Sequence, residues 1–147
     1  CYFNGNLDSN AIAVAALYHD CGEVITGDMP SPIKYHSPEI THAYKSIEKQ
    51  AAVELLELLP EQLKEDYRPI LIEESILKEI KGFNLGADTI AALLKCQAEL
   101  AAGNAEFSSA AKDIQIRLDK SELPEVKFFL ETFAPSCGLT LDELLKP

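Results

Sequence analysis

The stretch SPEITHAYKSIEKQAAVELLELLP, residues 37–60, decides the fold. Ser37 followed by Pro38 marks a helix start. The hydroxyl can accept from an orphan N–H of the first turn, and the missing N–H of Pro costs nothing there. Ile40, Ala43, Tyr44, Ile47, Ala51, Leu55 and Leu58 then recur at helical spacing. They predict one apolar stripe on a helix running to Pro60. Glu48, Glu54, Glu57 and Lys45 lie off that stripe and read as a solvated face.

The same period extends in both directions. Upstream, Asp8 or Ser9 can cap a helix over about 9–21, with Ile12, Ala15, Ala16 and Tyr18/His19 along one side. The Pro- and Gly-containing residues 22–37 read as a loop. Downstream, the pattern predicts a short helix over about 60–66 and a long helical region over about 73–102. Gly82 or Gly86 is a candidate point of interruption, and Gly103-Asn104 ends it. Helices over about 105–119 and 122–133 follow, and Thr140-Leu141-Asp142-Glu143 is a capping box opening a last short helix. Only RPILI, 68–72, could be a strand, and a lone strand has no partner. The class is therefore all-α, in one domain over residues 1–147.

The totals narrow the function. A net charge of −11, with only Arg68 and Arg117 as arginines, argues against a duplex nucleic acid as partner. No apolar run reaches the roughly 18–20 residues of a membrane span, and no signal-peptide pattern opens the chain. A chain beginning at Cys1 suits a mature lipoprotein or a fragment, and the fragment is the expectation here. Cys1, Cys21, Cys96 and Cys137 form no C-x-x-C pair, which argues for reduced thiols in the cytoplasm.

Chemistry is concentrated in ALYHDCGEVITGDMPSP, residues 16–32. His19 and Asp20 can reach a metal from one side of a helix end, and Glu23 lies one turn on from both. Imidazole with carboxylate suits Zn, Mn, Fe, Co or Ni, whereas oxygen ligands alone suit Mg or Ca. The plain alternative is a His on the helix dipole and an Asp in a turn. Asp28, between Thr26-Gly27 and Met29-Pro30, reads by itself as a turn residue. Asp88 lies in GADTIAALLKCQAELAAG, beside the side marked as buried by Ala87, Ile90, Ala91, Leu94 and Ala98. A carboxylate there needs a metal or an ion partner such as Lys95. His36 and His42 read as surface or packing histidines. There is no G-x-S-x-G, P-loop or G-x-G-x-x-G.

Taken together, these residues resemble the HD-domain metal-dependent phosphohydrolases, which are named for an adjacent His and Asp, here His19-Asp20. The likeness is closest to the bacterial HD-domain 5′-deoxynucleotidases. It rests on ALYHDCGEVITGDMPSPIKY, GADTIAALLKCQAELAAGNAEF and FAPSCGLTLDEL, and spans essentially the whole chain.

The resemblance implies an HD-type helical bundle, a homodimer that releases phosphate from deoxyribonucleoside 5′-monophosphates. It implies a divalent cation (Mn, Co, Zn, Fe or Mg) held by His19, Asp20 and Asp88. It makes Glu23 the catalytic acid/base and puts Asp28 at the substrate and in the catalytic machinery. Apart from the resemblance, Lys34 is the nearest cation that could touch a phosphate, its plain alternative being an ordinary exposed lysine. The family's first metal His and an Arg-Trp pair lie upstream of where this chain begins. The expectation is thus an N-terminally truncated chain whose own activity is in question. Two alternatives remain: an HD phosphohydrolase for nucleoside di- or triphosphates, and a non-catalytic helical domain that binds nucleotide or dimerises.

Overall fold

The structure, a computed structural model, describes residues 7–72, 76 and 78–145. Every regular element among them is helical. In order these are α1 (Ser9–Tyr18), α2 (Glu23–Thr26), α3 (Ser31–Lys34), α4 (Pro38–Glu57), α5 (Glu61–Leu71), α6 (Lys78–Ala101), α7 (Ser108–Asp119), α8 (Pro124–Thr132) and α9 (Leu141–Leu144). Short 3₁₀ turns precede α7 and α9. No helix among the described residues is long and apolar enough to cross a membrane. Cys1 and the start of the helix expected over about 73–102 lie outside the described residues.

The caps form where the sequence places them. Asp8 Oδ1 accepts from the amides of Asn10 (2.8 Å) and Ala11 (3.3 Å). Ser37 Oγ accepts from the Ile40 amide at 3.3 Å. Thr140 and Glu143 complete the capping box, the Thr140 amide donating to Glu143 Oε2 at 2.8 Å. Gly103, at φ +89°, follows α6 in a conformation that suits glycine.

Two local expectations change. The short helix expected over about 60–66 is longer, and it takes in most of the 68–72 stretch that had no strand partner. α5 continues to Leu71 with Pro69 inside its last turns, where a missing N–H removes only one helical bond. The segment 22–37 is not wholly loop, because α2 and α3 each make one helical turn within it.

The chain divides into two compact units, with the division falling inside α6. In the unit Leu7–Lys81, α4 packs against α2, α3 and α5, and α5 packs against α1. Tyr18 and Tyr67 meet edge to face at 5.8 Å between ring centroids, joining the end of α1 to α5. The buried residues here are Ala15, Tyr44, Ala51 and Leu56. The stripe expected on α4 is therefore rotated. Ile40 and Ile47 are 36% and 54% exposed, while Thr41 and Glu48 are turned inward and half-buried. Glu48 does not lie on a solvated face.

The other unit, from Gly82, centres on Ile90, Leu93 and Cys96 of α6, Ile114 and Leu118 of α7 and Val126 of α8. α6 passes through Gly82 and Gly86 without a break. At Gly86 a Cβ would stand 2.9 Å from Val126 Cγ2, so the close approach of α6 to α8 uses the missing side chain.

Candidate active site at the α1–α2 junction

α1 ends at Tyr18, and two turns of backbone bonds carry the chain directly into α2. Cys21 N donates to Tyr18 O (3.1 Å) and Glu23 N to Asp20 O (2.9 Å). His19 and Asp20 are thereby held at a corner rather than spread around a helix. Their side chains meet, with His19 Nε2 2.9 Å from Asp20 Oδ2.

The other ring nitrogen, Nδ1, lies 2.7 Å from the Ala16 carbonyl oxygen. A carbonyl can only accept, so Nδ1 carries the hydrogen. Nε2 and the carboxylate then face one another across a gap suited to one cation, a proton or a metal ion. An imidazole held from behind by a carbonyl is the usual arrangement of a metal-binding histidine. Both groups are partly open to solvent, with side chains 39% and 57% exposed. The pair thus fits a divalent cation as two of its ligands. No group of three or more His, Cys, Asp or Glu is gathered for a metal among the described residues.

Glu23 opens α2 one turn further on. Its carboxyl pKa is raised, first by burial and then by the negative charges of Asp20 and Asp28, with Lys34 and His19 pulling the other way. Five of the residues selected from the sequence therefore share one electrostatic neighbourhood. The Cys21 thiol beside the pair is held toward its protonated form. Burial foremost pushes its thiol up, and the Asp20 charge adds to this against opposing backbone hydrogen bonds.

Asp28 is exposed and follows Gly27, whose φ of +69° and ψ of 163° belong to glycine. Lys34 is already partnered, its Nζ lying 2.7 Å from Glu48 Oε1 and 5.0 Å from the Tyr44 ring centroid. Burial disfavours its charge, yet the Glu48 hydrogen bond and charge outweigh this and raise its pKa. His36 and His42 are exposed, as read from the sequence.

Asp88 belongs to the other unit and is exposed on α6. Ala87, Ala91 and Ala98 are exposed too, and the buried side runs through Ile90, Leu93 and Cys96. The burial argument for Asp88 is thus corrected. Alanine and leucine fill both sides of this helix, so apolarity alone could not identify the inner one.

Sequence reasoning missed Thr41, Tyr44 and Glu48 as supports of the site. The available signal was register: Thr41, Tyr44, Glu48 and Ala51 fall at helical spacing on one face of α4.

Against this geometry, comparison with known proteins is specific. The model of the family described as 5′-deoxynucleotidase YfbR-like matches residues 1–137. A 5′-deoxynucleotidase of Vibrio vulnificus (strain YJ016) is 47% identical over 142 residues, covering 97% of this chain and 73% of the relative. 5′-Deoxynucleotidases of Yersinia pestis (strain Pestoides F) and Yersinia pseudotuberculosis serotype O:3 (strain YPIII) are each 48% identical over 142 residues, covering 97% of this chain and 72% of the relative. With the match running through both units and including the His19–Asp20 corner, the chain belongs to the 5′-deoxynucleotidase YfbR-like family.

Proposed function

We propose that the protein hydrolyses deoxyribonucleoside 5′-monophosphates to the nucleoside and phosphate, as a metal-dependent hydrolase. The observation that carries this reading is the α1–α2 corner. There His19 and Asp20 meet at 2.9 Å, beside a glutamate that holds its proton more tightly than usual. The names of the relatives support the substrate class. The family resemblance supports a homodimer, and four cysteines without a C-x-x-C pair support the cytoplasm.

His19 and Asp20 would hold the cation, and the family resemblance alone adds Asp88 as a further ligand. When bound, a divalent cation supplies Lewis acidity toward water and toward phosphoryl oxygens. It also answers the net charge, since local positive charge lets an acidic protein receive an anion. Ala16 holds the His19 ring through Nδ1, keeping Nε2 toward the ligand position. Glu23 moves the proton: its raised pKa brings it nearer neutrality, where an acid/base is most effective. Asp28 faces the substrate and assists the leaving 5′-oxygen.

The test is phosphate release from dAMP, dGMP and dTMP by the full-length protein with Mn or Co. A chelator is expected to abolish turnover and added metal to restore it. Asp20→Ala and Asp88→Ala are each expected to lower kcat/KM by at least about 100-fold, the upper end for loss of outer-sphere support alone. Parental activity in both variants would overturn the metal reading.

A further inference from the structure

We infer that Glu48 is a positioning residue that, through Lys34, holds the segment Gly27–Lys34 and so sets where Asp28 stands. The inference rests on the reading of Asp28 as a substrate-side residue.

α4 grips this segment at both ends. At its start, the buried Tyr44 donates its hydroxyl to the Gly27 carbonyl at 2.9 Å. This fixes the peptide leading directly into Asp28, at a glycine whose backbone conformation other residues rarely adopt. At its end, Thr41 Oγ1 donates to the Lys34 carbonyl at 2.8 Å. The Lys34 ammonium bonds Glu48 at 2.7 Å and lies against the Tyr44 ring. Thr41, Tyr44 and Glu48 form one helical face, so a single rigid element makes all these contacts. Between the two grips, Pro30 and Pro32 limit the backbone freedom of the segment.

This assigns Lys34 a different task from phosphate binding. Its ammonium is a strut, and its partner is the carboxylate that apolar patterning leaves on the outside of α4. The two roles make opposite predictions. A phosphate contact makes Lys34 matter much more than Glu48. A strut makes the two equivalent, and removing both no worse than removing one.

The experiment is a set of double-mutant cycles on the full-length protein with a deoxyribonucleoside 5′-monophosphate and Mn. Glu48→Gln and Lys34→Met are each expected to lower kcat/KM about 10-fold, within the range for misplacing a reacting group. The double variant is expected to equal either single variant. In an Asp28→Asn background, Glu48→Gln is expected to cost nothing further, a result that general destabilisation would not give. Hydrogen exchange at the amides of residues 27–34 in the free protein provides a readout independent of activity. It is expected to rise in Glu48→Gln while the amides of α5 and α7 stay protected. Unchanged exchange at 27–34, or an effect of Lys34→Met that far exceeds that of Glu48→Gln, would overturn the assignment. Loss of the enzymatic reading with raised exchange would leave the clamp standing and remove only its catalytic purpose.

Discussion

The Glu23 carboxyl pKa is raised because burial and two neighbouring carboxylates oppose its charge. Asp28 is one of the two, so Asp28→Asn is expected to lower the Glu23 pKa in the metal-free protein. Carbon-detected NMR titration of the side-chain carboxyl would measure this. The value should stay above that of an ordinary glutamate, because burial and Asp20 remain. The stability consequence has a definite sign. A carboxyl whose folded pKa is raised favours the folded state below its unfolded pKa, near 4.3, and loses that contribution as pH rises through the folded value. Glu23→Gln is therefore expected to be more stable than the parent at pH 7 and equal to it near pH 3, as read by urea denaturation. That His19, Asp20 and Glu23 lie close together was legible because residues at turn spacing stay neighbours whatever the rest of the chain does. The partners of Lys34 were not legible, because an ion pair between residues 14 apart depends on how α3 is laid against α4.

Elements are specified by caps and period, but their contacts are specified by what lies opposite. The two helical glycines of α6 separate these effects. Gly82 has open space around the position of a Cβ, so Gly82→Ala is expected to stabilise the protein by up to about 1 kcal/mol through helix propensity alone. Gly86→Ala gains the same propensity, but its Cβ would meet the buried, β-branched Val126 at 2.9 Å. Overpacking of this kind costs about 1–3 kcal/mol, so the net change is expected to be a loss of about 1 kcal/mol. Chemical denaturation of the two variants side by side checks the difference in sign. Either glycine reads in the sequence as a candidate break in the helix. One is neutral space and the other a close helix contact, a distinction set entirely by α8.

At the scale of the whole molecule, the net charge of −11 repels a dianionic substrate at long range, whatever a local cation does at close range. Raising ionic strength from about 10 to about 100 mM screens that repulsion beyond roughly 10 Å. kcat/KM for a deoxyribonucleoside monophosphate is thus expected to rise modestly with salt, as followed by steady-state phosphate release. A protein that recruits phosphate through a basic surface would show the opposite slope.

The helical class, the caps at Asp8, Ser37 and Thr140, and the concentration of His19, Asp20, Glu23 and Asp28 within one short span follow from the sequence alone. These are local matters: a cap, a turn and an i,i+4 pair act within a few residues. The tertiary structure alone decided which side of α4 and α6 is covered. On α4, Glu48 and Thr41 turn inward because α3 brings the Lys34 ammonium and the Lys34 carbonyl to that face, and those groups need an acceptor and a donor. On α6, Asp88 lies outward because the core of its unit gathers around Ile90, Leu93 and Cys96. Apolar periodicity announces that a helix has an inner face; the chemistry of the opposing elements selects it.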